Sequence, residues 1–250
     1  MSGTVYLVGA GPGAPDLLTL RAARLLETAG IVFYDALVNP EVVALAASAT
    51  KIAVGKRCGR HSEAQLFINK RLVDAAKKHA IVVRLKGGDP MLFGRAQEEI
   101  DALAGAGIAC EVVPGVTSAL AASAALGVSL TRRGAARSVS FVTPRVGAGE
   151  DPGNWVQAAL AADTAAIYMG GGEAAAIAAR LIEAGKPAAT PAVIVESAPM
   201  QGEKRHFATL ATLARAAGRL GNGPALILLG EVYRQAAQAV RSPTQAYAAA

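Results

Sequence analysis

The chain has 250 residues, 52% of them hydrophobic and 18% charged, which is enough apolar content to bury a full core and excludes a disordered chain. Its formal net charge of +6 suits an acidic partner, either a polyanionic small molecule or RNA. Aromatic residues are only 4%, and the basic residues fall in pairs such as Lys56-Arg57, Lys70-Arg71 and Arg132-Arg133, so a base-stacking platform for single-stranded RNA is disfavoured.

From the amino terminus, apolar strand-like runs alternate with helical patterns. Val5–Gly9 predicts a strand, 19–28 a helix, Ile31–Tyr34 a strand, 41–47 a helix and Lys51–Val54 a strand. The rhythm continues with a helix over 63–78, a strand over Ile81–Leu85, a helix over 95–104 and a short strand over 109–113. Such a βαβ order implies a mostly parallel sheet, hence the α/β class. After a small-residue helix at 118–125, the polar and basic segment 129–137 predicts a domain boundary, with an N-terminal α/β domain over 1–133. A C-terminal α/β domain over 134–235 follows, with strands at 138–142, 164–168, 192–196 and 225–229 and helices at 174–184 and 209–217. The Ala-rich stretch 236–250 is expected to fray. No basic leader precedes an apolar core and no apolar run is long enough to span a bilayer, so a cytoplasmic protein is expected. Cys58 and Cys110 read as thiols of a reducing compartment, and His61, His79 and His206 are too scattered to suggest a metal site.

Two glycine clusters carry the chemistry. In the first, Gly9, Gly11 and Ala14 fit the pattern G-x-G-x-x-G/A after a strand, and Asp35 ends the next strand about twenty residues later, where a dinucleotide-binding fold places its ribose carboxylate. Taken alone, this suggests a nicotinamide oxidoreductase. Against it, Pro12 removes an N–H from the loop that should bind pyrophosphate, and Pro15-Asp16 prolongs the turn. The second cluster, Arg84-Leu85-Lys86-Gly87-Gly88-Asp89-Pro90, also closes a strand, where open α/β sheets place ligands. Its paired glycines let a ligand approach the backbone, and Asp89 can accept from hydroxyl or amino groups.

Together these clusters, with Tyr34-Asp35, Gly55-Lys56-Arg57, the stretch Arg84–Arg95 followed by Glu98-Glu99, Val113-Pro114-Gly115-Val116-Thr117-Ser118, Leu130-Thr131 and Tyr168-Met169-Gly170, stand in the order typical of tetrapyrrole methylases. The sequence resembles that family over about Thr4 to Val232, its uroporphyrinogen-III C-methyltransferase branch in particular. The resemblance implies two α/β domains of the tetrapyrrole methylase type with the active site in the cleft between them, usually as a homodimer. It implies S-adenosylmethionine as the methyl donor, S-adenosylhomocysteine as product, and C-methylation of uroporphyrinogen III at two ring carbons to give precorrin-2 for siroheme, cobalamin or heme d1 synthesis. No metal, membrane or nucleic acid enters that chemistry. Siroheme synthases join this module to a dehydrogenase-chelatase domain, and with the glycine motif starting at Gly9 the chain is expected to methylate only. A methylase of a later precorrin, or of RNA or diphthamide on the same fold, is the alternative.

By matched position the cofactor site falls on Pro12, Gly87, Gly88, Asp89, Leu92, Thr117, Ser118, Met169, Ala198 and Ala225, with many contacts through backbone. Met169 can equally fill a core. Asp35 matches the family's proton acceptor and Lys56 its proton donor, although Lys56 can also neutralise substrate carboxylates. Arg95 and Glu98, three apart on one helix face, can pair with each other or meet the ligand. Uroporphyrinogen carries acetate and propionate groups, for which Arg95, Arg132 and Arg133 are natural clamps. The chain departs from the family pattern at Arg132, where His is frequent, at Thr143-Pro144-Arg145 in place of Thr-Gly-His, at Ala96-Gln97 in place of a Gly pair, and at Ser197-Ala198-Pro199 in place of Asn-Gly-Thr. These departures bear on substrate contacts more than on cofactor binding.

Overall fold

The computed structural model describes residues 2–54, 61–147, 151, 153–200 and 202–241. Contacts divide the chain into two units, Met1–Ser118 and Ala119–Ala250, each built on its own five-stranded sheet.

The first unit runs β1 (Thr4–Gly9), α1 (Leu20–Thr28), β2 (Ile31–Tyr34), α2 (Pro40–Ala44), β3 (Thr50–Ala53), α3 (His61–Ala76), β4 (Ile81–Lys86), α4 (Ala96–Gly105) and β5 (Cys110–Val113). Its strands are all parallel, in the order β3-β2-β4-β1-β5. Two of these helices start at side-chain caps: the Thr19 hydroxyl accepts from the Ala22 N–H at 3.2 Å to open α1, and the Asn39 side chain accepts from the Glu41 N–H at 2.9 Å, with Pro40 at the first helical position of α2.

Strand alternation then fixes the layers. Val5, Leu7, Ile31, Phe33 and Val82 pack on α3 and α4 through Ile68, Leu72 and Leu103, whereas Val8, Val32, Val83 and Leu85 pack on α1 and α2 through Leu26 and Val42. Each fully buried leucine among them is worth about 1.5–3 kcal/mol. Because every strand is parallel, the loops after β1, β2, β4 and β5 all emerge at one edge of the sheet, where α/β folds carry ligands.

α5 (Ser118–Leu126) begins at the junction, and the second unit continues with β6 (Val139–Val142), α6 (Trp155–Ala161), β7 (Thr164–Ile167), α7 (Ala174–Glu183), β8 (Pro191–Glu196), β9 (Lys204–Thr209), α8 (Leu213–Ala217), β10 (Ala225–Gly230) and α9 (Arg234–Arg241). Its strand order is β6-β7-β10-β8-β9. Here only β6 and β7 run parallel, and the β7–β10, β10–β8 and β8–β9 pairs are antiparallel. The units part at Ser118 and Ala119 rather than at the expected 133/134. The cause is packing: Ala119, Ala122, Leu130 and Ala136 are buried with Val193, Val195, Leu226 and Leu228 of the second sheet.

Neither α6 nor β9 is foreseen by the sequence pattern. The Lys204-Arg205-His206 start of β9 is polar because it forms an edge strand, where charge blocks further pairing. Residues 236–241, expected to belong to a fraying tail, continue α9, and 242–250 lie outside the described residues. Among the described residues no helix is long and apolar enough to cross a membrane.

Candidate functional site

In the first unit three loops lock together at the sheet edge. The Ala10 N–H donates to the Lys86 carbonyl at 2.8 Å, the Gly88 N–H to the Gly11 carbonyl at 2.7 Å, and the Gly11 N–H to the Gly88 carbonyl at 3.2 Å. Both glycines are in the left-handed region, at φ 69° and 68°, which they reach without the cost a side chain would bring. Gly115, from the loop after β5, presses into the same place: a Cβ there would lie 2.3 Å from the Gly88 carbonyl oxygen and 2.8 Å from the Gly9 Cα. Only glycine allows this approach.

Asp89 ties the arrangement. Its Oδ1 accepts from the Met91 N–H at 2.8 Å, turning the chain after β4, and its Oδ2 accepts from the Gly115 N–H at 2.9 Å. The carboxylate therefore joins the β4 loop to the β5 loop. Asn39 does the same on the other side, donating to the Gly13 carbonyl at 2.8 Å while it caps α2. Around this cradle Gly87 is exposed and Pro12, Leu92, Thr117 and Ser118 are half-buried. The Gly88 Cβ position is 4.0 Å from the Thr117 Cα. Pro12, Gly87, Gly88, Asp89, Leu92, Thr117 and Ser118 thus belong to loops from a single edge.

Beneath the cradle lies a charge network that the motif comparison does not single out. Residues 82, 84 and 86 of β4 share a face, and Arg84 and Lys86, 2% and 3% exposed, point with Val82 toward α3 and α4. The Arg84 Nη2 donates to Asp35 Oδ1 at 2.7 Å and its Nε to Glu99 Oε1 at 3.0 Å. Lys86 Nζ donates to Glu99 Oε2 at 2.9 Å, and Gln65 Nε2 to Glu99 Oε1 at 3.1 Å. Burial works against the Arg84 charge, but the Asp35 and Glu99 carboxylates outweigh it and hold the guanidinium above its ordinary pKa. Burial, and then repulsion from Arg84, pulls the Lys86 ammonium below its usual value against the attraction of Glu99.

Arg95 and Glu98 pair with each other: Nε to Oε1 at 2.6 Å and Nη2 to Oε2 at 2.7 Å, both side chains well exposed. Arg95 has φ 55° and Phe93 has φ 54°, so the chain enters α4 through two left-handed non-glycine residues on either side of Gly94. Lys56, together with Cys58, lies outside the described residues. Cys110 is half-buried, and burial pushes its thiol up to about 11.

In the second unit the registers Ile167↔Ile227 and Glu196↔Ala225 bring the ends of β7 and β8 and the start of β10 to one edge. Met169, Ala198 and Ala225 therefore share that edge. Met169 is 44% exposed with φ 57°, which places it on the surface of its unit rather than in the core. Gly171 approaches Ala225, a Cβ at 171 falling 3.3 Å from the Ala225 Cβ. Glu196 is buried and its Oε1 accepts from the Gly223 N–H at 3.0 Å, fixing the loop that leads into β10. Arg132 and Arg133 are exposed and lie on a tight loop closed by mutual Arg132 and Ala136 backbone bonds of 2.9 and 2.8 Å. The Arg132 guanidinium reaches Gln235 of α9 at 3.3 Å.

Sequence reasoning missed Gln65 as a site-supporting group, and it named Arg84, Lys86 and Glu99 only as motif letters. A signal was available: two charges in an apolar strand run, two residues apart, must share a face and require buried partners.

Comparison with known proteins identifies the family. A uroporphyrinogen-III C-methyltransferase of Pseudomonas aeruginosa is 43% identical over 235 residues, covering 94% of this chain and 96% of that one. A siroheme synthase of Chromobacterium violaceum is 46% identical over 92% of this chain, which spans only 50% of that synthase's length. The uroporphyrin-III C-methyltransferase of Thermus thermophilus, solved with S-adenosyl homocysteine, superposes with a TM-score of 0.80 at 42% identity, covering 93% of this chain and all of that one. Residues 4–214 match the Tetrapyrrole (Corrin/Porphyrin) Methylases, and the chain belongs to that family.

Proposed function

We propose that this protein transfers methyl groups from S-adenosylmethionine to two ring carbons of uroporphyrinogen III, giving precorrin-2 for siroheme, cobalamin or heme d1 synthesis. The observation that carries the reading is the locked glycine cradle at one edge of the parallel sheet beside Asp35, whose carboxylate is anchored by buried Arg84. The named activities of the Pseudomonas and Thermus relatives support it.

The cradle fits a nucleoside-bearing ligand. It offers close backbone and little side-chain bulk at Gly87 and Gly88, with apolar Leu92 alongside; the resemblance alone assigns Met169, Ala198 and Ala225, small or adaptable apolar groups of the second unit, to the same cofactor. Bound there, the cofactor supplies a sulfonium methyl that is already electrophilic. The protein's own work is then alignment and exclusion of water. Asp35, oriented through Oδ1 by Arg84, accepts the proton that the macrocycle loses from a pyrrole N–H or a methylene bridge once the ring carbon, which bears no hydrogen of its own, has gained the methyl group, and passes it to solvent; the donor role of Lys56 rests on the family resemblance alone.

Arg95, Arg132 and Arg133 hold the acetate and propionate groups. Arg95 now grips Glu98, and because an exposed pair is worth only about 0–1 kcal/mol, a substrate carboxylate can replace Glu98 at small cost. We read the protein as cytoplasmic and, as the resemblance implies, as a homodimer, the latter tested by sedimentation equilibrium.

The test of the function is anaerobic turnover with S-adenosylmethionine and uroporphyrinogen III, followed by absorbance and product mass. Gain of two methyl groups is expected, with Asp35→Asn strongly slowed. No methylation, with S-adenosylhomocysteine still tightly bound, would remove this acceptor and direct attention to later corrinoids.

A further inference from the structure

We infer that Glu99 is a positioning residue for the methyl transfer, holding Asp35, through Arg84, in fixed relation to the loop Gly87–Arg95. The inference rests on the role proposed above for Asp35. Glu99 is wholly buried, and its two oxygens serve different masters. Oε1 receives Arg84 Nε, and the far end of the same guanidinium holds Asp35 Oδ1. Oε2 receives Lys86 Nζ, and the Lys86 side chain runs under the loop, its Cε 3.2 Å from where a Cβ on Gly94 would stand. Gly94 is the turn between the left-handed Phe93 and Arg95. One carboxylate thus grips the support of the proton acceptor with one oxygen and the support of the loop with the other.

Stability alone does not call for this arrangement. Asp35 and Glu99 balance Arg84 and Lys86 in charge, but a set of buried ions is often no more stabilising than apolar residues of the same volume. What ions with directed hydrogen bonds add is geometry. The Arg84 fork, bonded at Nε, Nη2 and, through Nη1, to the Leu85 carbonyl at 3.2 Å, has little freedom to rotate. Its Nε bond to Glu99 is the one that ties it to α4.

The experiment uses the full chain and three substitutions. Glu99→Gln leaves two buried cations against one carboxylate and is expected to lower both the melting temperature and kcat. The double variant Lys86→Met/Glu99→Gln removes one charge of each sign. It is expected to regain the melting temperature while kcat for uroporphyrinogen III stays about ten- to a hundredfold low, the scale of a misplaced reacting group, with KM little changed. In an Asp35→Asn background the same double change is expected to cost nothing further, since residues acting through one group are not additive.

Recovery of kcat together with the melting temperature would show that Glu99 only balances charge and would overturn the inference. So would full additivity with Asp35→Asn. Should Asp35→Asn itself keep full activity, the assignment of the proton acceptor fails instead, and the two failures are separable. If the double variant does not fold, Glu99→Asp takes its place: it keeps the charge but shortens the reach by one methylene, so a folded protein with unchanged kcat would equally refute the inference.

Discussion

Gly115→Ala offers a direct test of the cradle. The added methyl would stand 2.3 Å from the Gly88 carbonyl oxygen and 2.8 Å from the Gly9 Cα, both backbone atoms that cannot rotate away. Carbon–oxygen contacts settle at about 3.3–3.6 Å, so one loop must move by about 1 Å. That shift stretches the Gly11 N–H bond to Gly88, already 3.2 Å, and the Gly115 N–H bond to Asp89, at 2.9 Å. Forcing a methyl into packed structure costs about 1–3 kcal/mol, and losing a hydrogen bond to a carboxylate about 1.5–3 kcal/mol. Taking about 3 kcal/mol, a chain of this size melts about 6–12 °C lower. Calorimetry of S-adenosylhomocysteine binding on the folded variant reads the cradle itself, and a marked loss of affinity is expected. Gly105→Ala is the control: nothing lies within 4 Å of its Cβ position at the end of α4, so it should stabilise by about 0.5–1 kcal/mol. A Gly115→Ala protein that melts with the parent and binds the ligand equally would refute the tight three-loop packing.

Gly223→Ala makes a useful contrast, because its Cβ would meet the Ser197 Oγ at 2.1 Å. A hydroxyl can change rotamer, so the loss in melting temperature should be smaller than for Gly115→Ala and largely relieved in a Ser197→Ala background. Glu196 is held below its ordinary pKa of 4.5, chiefly by the Gly221 N–H. Such a group contributes stability that is fully present above its unfolded pKa and is lost as pH falls through the lower folded value. Urea titrations below pH 4.5 should therefore show a shallower decline for Glu196→Gln, and an unchanged slope would contradict the assignment. Arg95→Ala removes an exposed pair, so its unfolding free energy should change by less than about 1 kcal/mol, while KM for uroporphyrinogen III rises; a large stability loss with unchanged KM would make the pair structural.

The parallel half of the fold was legible because its strands are near-continuous apolar runs divided by helical periods, and its site loops because glycines and Asp89 end those runs. The domain boundary was not. Segment 129–137 looks like a linker by composition, yet Leu130 and Ala136 are buried against the second sheet, and burial of isolated apolar residues in a polar stretch leaves no periodic trace. β9 was missed because three polar residues open it, and α6 because it has only seven residues. Asp89 was foreseen as an acceptor, but its partners are the Met91 and Gly115 N–H groups, a loop-to-loop contact that spacing cannot reveal. Glu98 and Glu99 are adjacent and identical in type. Their fates diverge because α4 turns Glu98 outward to Arg95 and Glu99 inward to Arg84 and Lys86.

The same residues show why the cradle's chemistry lies in shape. Both Asp89 oxygens and the Gly88 N–H and carbonyl already bond neighbouring loops, so in the proposed site much of the discrimination for the cofactor rests on how closely backbone and apolar groups enclose it. Enclosure needs loops held in conformations the chain would otherwise avoid. Among the described residues the non-glycine left-handed positions are Phe93, Arg95, Met169 and Ser197, each costing about 1–3 kcal/mol, and all four lie in the loops at the two sheet edges that carry the proposed cofactor residues. The cost persists only where surroundings over-determine the backbone. In the first unit those surroundings are Asp89 from above and the buried Lys86 and Glu99 from below. In the second they are Glu196 and the Gly223 turn that presses on Ser197. Buried charge and backbone strain, each unfavourable by itself, thus fall where the loops must keep one shape before a ligand arrives.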